Sequence, residues 1–114
     1  MKENVSRAAV AAEVGPYQPC GCSIRQRMRV LLAVSAVEVK PLYTLEKEGA
    51  FERGDTRGIA FATSRLAAGA TALRNMIVDA WEDSAATSVG YPMVNVHDIE
   101  SGKVRATRDL FGAD

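Results

Sequence analysis

With 114 residues, the chain is long enough for one domain with a real core, held by a modest margin of stability. Its 14 Lys and Arg residues balance 14 Asp and Glu residues, so no long-range field favours nucleic acid or an anionic membrane. A hydrophobic share of 47% is too high for a disordered chain, and no apolar run is long enough to span a bilayer.

The pattern predicts an all-α fold. Residues 2–14, KENVSRAAVAAEV, form the first expected helix, with Val5, Ala8, Ala9 and Ala12 on one face. GPYQPCGC at 15–22 has two prolines and two glycines and ends it in a turn or linker. Ser23 is placed to cap a second helix, because its side-chain oxygen can accept an orphan backbone N–H. That helix carries Ile24, Met28, Leu31 and Ser35 on one face. Its centre, residues 30–37, is apolar nearly all round and calls for cover on more than one side. Pro41 should kink or divide it.

GAFERG at 49–54 reads as a loop, after which Asp55 or Thr56 caps a third and longest helix running to about Ala85. Ile59, Ala62, Leu66, Ala70, Leu73, Ile77, Ala80 and Trp81 recur in steps of three and four, so this is its expected buried face. Gly69 among alanines makes a smooth strip where another backbone can approach closely. After Ser88 the sequence turns extended or loop-like, with one short edge strand and a final turn opened by Asp98. The expected organisation is a single helical domain over 1–114. An N-terminal helix and linker (1–22) precede a helix hairpin (23–85) and an irregular tail (86–114). The architecture is a helical bundle built on a long antiparallel hairpin.

Little here carries chemistry. Cys20 and Cys22 lie one residue apart, a spacing that makes a bridge between them improbable and suggests two reduced thiols. With His97 they are weak candidates for a metal, but His97 is the lone histidine and a zinc site needs more ligands. His97 as a catalytic base lacks anything in the sequence to orient it. Neither G-x-x-x-x-G-K nor G-x-G-x-x-G occurs, so there is no phosphate loop. No catalytic residue and no cofactor is expected. A span from Met28, MRVLLAVSAVEV, imitates a short secretory signal but is internal and reads better as a buried helix; with no N-terminal signal peptide, the chain as written reads as cytoplasmic.

Charge raises one question. Asp79, Glu82 and Asp83 crowd the C-terminal end of the third helix, where the helix dipole is already negative. In an antiparallel hairpin, Arg25, Arg27 and Arg29 at the start of helix two would lie beside them and compensate. Without interleaved aromatics, the same arginines make a weak case for nucleic acid.

The stretch PLYTLEKEGAFERGDTRGIAFATSRLAAGATALRNMIVDAW, residues 41–81, resembles the C-terminal helices of the zinc-dependent phospholipase C and single-strand nuclease superfamily. The shared features are a Tyr-Leu helix, a short acidic loop, a Gly-Asp entry and a Leu-Ala-rich helix ending in Ala-Trp. The resemblance implies an all-α phosphodiesterase relative. The superfamily's trinuclear zinc site needs several histidines and aspartates, which this chain does not supply. The expectation is therefore a non-catalytic C-terminal portion of such a hydrolase, whose partner is a missing upstream domain. The alternative is a small helical interaction or homo-oligomerisation module using Leu66, Gly69, Leu73, Ile77 and Trp81.

Overall fold

The computed structural model describes residues 4–112, and it is mainly helical. The chain groups into two compact units, Met1–Met76 and Ile77–Asp114.

In the first unit, α1 spans Arg7–Glu13, shorter than the expected 2–14; the first three of those positions include residues outside the described range. Ser6 starts it, its hydroxyl accepting the Ala9 N–H at 3.0 Å. Val14 is already extended, ahead of Gly15 and Pro16. Helix α2, Ile24–Val37, opens on the expected Ser23. The cap is reciprocal: Ser23 Oγ accepts from Gln26 N, and Gln26 Oε1 accepts from Ser23 N at 2.8 Å.

Pro41 divides the long second helix, as the sequence implied. The break falls at Glu38, and α3 runs Val39–Lys47. Lacking an N–H, Pro41 cannot donate to the carbonyl of Val37, four residues back; within α3 it sits in the first turn, where no donor is needed.

The loop after α3 is locked onto the start of α4, Thr56–Ser84. Ala50 is fully buried, and Gly58 packs so closely beneath it that a Cβ at Gly58 would overlap the Ala50 carbonyl. Phe51 and Phe61 meet edge to face, 6.1 Å between ring centres. Asp55 is the cap, its Oδ1 accepting the Arg57 N–H at 2.8 Å.

In the second unit, the expected irregular tail is better ordered than its sequence suggested. Strands β1 (Ser88–Val89) and β2 (Val94–Asn95) pair antiparallel, Ser88 opposite Asn95 and Val89 opposite Val94. Gly90 takes φ +82° at the turn, and the neighbouring Tyr91 N–H donates to the Leu110 carbonyl at 2.6 Å. Helix α5, Val96–Glu100, is capped by Asn95, whose Oδ1 accepts the His97 N–H at 2.9 Å. The expected opener, Asp98, instead lies in the helix's first turn, where the dipole favours its charge. A 3-10 turn covers Arg108–Phe111.

Candidate functional site: a groove and an uncovered helix face

Helix α4 is the frame of the first unit, and it is buried on an unexpected side. Thr63, Ala67 and Asn75 are 3%, 2% and 6% exposed, with half-buried Thr71 between them at the same step of four. Leu66 and Leu73, expected on the buried face, are 55% and 58% exposed. In the second unit Ile77 and Trp81 are also open, at 58% and 68%. Helical periodicity located the apolar stripe; the chain does not bury it. The sequence expectation that Leu73 is a core residue is corrected accordingly. Gly69 opens onto free space, with nothing within 4 Å of an added Cβ.

Backbone after α1 is bonded to this stripe at Thr71 and beside it at Arg74. Thr71 Oγ1 donates to the Ala67 carbonyl at 2.7 Å and accepts the Gly15 N–H at 3.1 Å. The Gly15 carbonyl accepts from the Arg74 guanidinium at 2.7 Å, and that guanidinium also donates to Asn75 Oδ1 at 2.9 Å. Gly15 is thus pinned at both its polar groups, which fastens the segment after α1 to the middle of α4. Every buried side-chain polar atom among the described residues has a partner.

Beside this clamp lies a groove of about 520 Å³. Val30, Leu31 and Val34 of α2 line it together with Ser64, Ala68, Thr71 and Ala72 of α4. Its width follows from side-chain size: the α4 residues on its wall are small, and across from them Leu31 is half-buried while Val30 and Val34 are exposed. Cys20, Cys22 and Arg27 also line it.

The two cysteines are joined as a disulfide, against the expectation from their spacing. Gly21, at φ +59°, supplies the left-handed turn that brings the two Cα atoms to 5.1 Å, inside the bridging range. Paired sulfurs are not thiolate ligands. His97 stands at the exposed start of α5 in the other unit. Among the described residues, no group of three or more His, Cys, Asp or Glu side chains is placed to hold a metal ion.

Arg27 donates to the Gln18 carbonyl at 2.7 Å and lies 6.0 Å from the Tyr17 ring centre. Arg25, Arg27 and Arg29 belong to the first unit, whereas Asp79, Glu82 and Asp83 belong to the second. The clearest electrostatic arrangement is elsewhere, at the start of α4. There Arg57 bonds Asp55 at 2.9 Å and Glu48 at 2.8 Å. The Arg57 side-chain hydrogen bond is the main cause that holds the Asp55 carboxyl below its ordinary range, and the same bond raises Arg57.

The Gly15 clamp and the disulfide escaped the sequence reading. The clamp had a visible signal in the four-residue step of Thr63, Ala67, Thr71 and Asn75, which marks one helical face of small side chains. No protein-family model, curated protein or solved structure matches the chain. No described helix is long and apolar enough to cross a membrane.

Proposed function

We propose that the chain is a helical interaction module that covers its apolar faces with a second copy of itself. The observation that carries this reading is the exposure of Leu66 and Leu73 on the apolar face of α4. The apolar centre of α2 adds to it, with Val30 63% and Val34 49% exposed. A two-fold pair is the commonest way to close such a patch, using the same face on both copies. Gly69, open and side-chain-free, is the crossing point of this arrangement. An antiparallel hairpin of α2 and α4 within a bundle belongs to the same proposal, as the form that association would complete.

Static light scattering across a dilution series tests the reading. A dimer mass that falls with dilution, and a Leu73→Asp variant that stays monomeric with an unchanged circular dichroism spectrum, are the expected results. A monomeric wild type at high micromolar concentration with a cooperative melt overturns it.

A second reading rests on residues 41–81, whose likeness to the zinc-dependent phosphodiesterases makes the chain the C-terminal helices of such an enzyme. The uncovered valines of α2 would then pack under upstream helices. On this reading the wild type stays monomeric, and Leu73→Asp weakens binding to that upstream part. On either reading the purified chain should hold no stoichiometric zinc and hydrolyse no phosphodiester; zinc retained through mild chelation refutes that expectation.

A further inference from the structure

We propose that Cys20–Gly21–Cys22 is a thiol–disulfide exchange site for small-molecule thiols and disulfides. A disulfide stabilises a fold chiefly by restricting the unfolded chain, and the effect grows with the length of the loop it closes. This one closes a loop with a single residue inside it, so it contributes the least that a bridge can contribute to stability. Nor does it join two elements, since both sulfurs lie in the same linker between α1 and α2. A bridge with so small a structural role is the kind whose opening the fold tolerates.

Its surroundings suit exchange. Cys20 is exposed, while Cys22 is half-buried and stands immediately before Ser23, the N-cap of the 14-residue α2. Cys22 stands at the positive end of that helix, which stabilises the negative charge that develops on its sulfur as the S–S bond breaks. Both cysteines line the open groove beside α4, so a small molecule has access to them. Exposed bridges are the labile ones, and a stabilised leaving thiolate departs faster.

These positions fix the order of events. An external thiolate attacks the accessible Cys20 sulfur, its S–S bond to Cys22 breaks, and the electron pair leaves on Cys22 as the thiolate. The product is a mixed disulfide at Cys20. A second external thiolate attacks the external sulfur of that mixed disulfide and releases Cys20 as a thiolate. The chain gains two electrons as a dithiol, and two external thiols leave joined as one disulfide. In the reverse direction, the Cys22 thiolate closes the ring on a Cys20 mixed disulfide.

The test uses the full chain, glutathione in reduced and oxidised forms, and rapid alkylation followed by intact-mass measurement. Reduced glutathione at millimolar concentration and neutral pH should convert the oxidised protein to a dithiol without denaturant, and oxidised glutathione should reverse it. Cys22→Ser should accumulate a stable glutathione adduct at Cys20, and neither Cys22→Ser nor Cys20→Ser should form the internal bridge. Brief exposure of the oxidised wild type to reduced glutathione, followed by an acid quench and fragment-ion mass measurement, should place the first mixed disulfide at Cys20. Circular dichroism of both variants establishes that they fold. If the bridge resists reduction until the protein is denatured, or if the reduced pair never closes with oxidised glutathione, the proposal fails. A first mixed disulfide found at Cys22 would overturn the assignment of Cys20 as the attacked sulfur.

Discussion

The two long faces of α4 obey opposite rules. One, through Thr63, Ala67, Thr71 and Asn75, is small or polar, is buried or half-buried, and is bonded to the chain's own backbone at Thr71 and beside it at Arg74. The other, through Leu66 and Leu73, is bulky and apolar and is left open. Burial of large apolar area is the ordinary driving force of folding, so the open face would be expected inside. The difference shows that closeness and hydrophobicity are separate requirements. A backbone can reach α4 only where side chains are small, and there it needs hydrogen-bond partners, which Thr71 and Arg74 supply. The leucines need bulk opposite them, and the alanine-rich α1 offers little.

The sharpest way to break the closely packed side is at its tightest point. Gly58→Val places a side chain against the carbonyl of the fully buried Ala50. Overpacking of this kind typically costs about 1–3 kcal/mol, and this substitution should reach the upper end of that range. Urea denaturation measures it, and a midpoint equal to wild type would mean that the loop moves freely.

Next in size is the clamp. Thr71→Val keeps the volume but leaves the Gly15 N–H without its acceptor, which should cost about 1–2 kcal/mol. Hydrogen exchange localises the effect: the amides of α1 and Gly15 should exchange faster, while those around Gly58 keep their protection. Uniform loss of protection would show that α1 and the corner of α4 open as one unit.

The open face predicts a smaller effect on the single chain. Leu73→Ala removes an exposed side chain, so a dilute monomer should change by no more than about 0.5 kcal/mol. A fully buried leucine would cost about 2–5 kcal/mol. The same substitution should weaken self-association, read as a shift of the dimer-to-monomer transition to higher concentration. A large loss of stability in dilute solution would place Leu73 in the chain's own core after all.

The sequence made some of this legible and hid the rest for identifiable reasons. Ser23 with Gln26, Pro41, and Asp55 act through bonds within a few residues, so local pattern located the ends of α2 and α4 and the division between α2 and α3. The phase of α4 depends on what lies opposite, and periodicity gives only the position of the stripe. The Gly15 clamp joins residues far apart in the chain, and its only local trace is a run of small side chains. The Cys20–Cys22 bridge depends on a glycine at positive φ, which spacing alone does not reveal. Of the candidate surface, Leu66, Gly69 and Leu73 were legible as a stripe; the groove beside them was not, because a groove is made by the side chains that are missing.

The smallest expected effect is electrostatic and tests whether the corner at α4 gains anything from charge beyond its packing. The Asp55 carboxyl lies below its ordinary value, chiefly through the Arg57 side-chain hydrogen bond and then the Arg57 backbone N–H. A depressed carboxylate favours the fold when ionised. Its contribution is present above the unfolded value of about 3.9 and is lost as pH falls through the lower folded value. Arg57 is raised and stays cationic throughout, so it adds no transition of its own. Exposed pairs are screened by water and salt, which keeps the effect small. Wild-type stability should therefore decline between pH 5 and pH 2 more steeply than that of Asp55→Asn, with the two curves converging at the acid end. Added salt should narrow the gap at neutral pH. Parallel curves over that range would mean that Asp55 serves α4 only as a neutral hydrogen-bonding cap, a role that asparagine fills equally well.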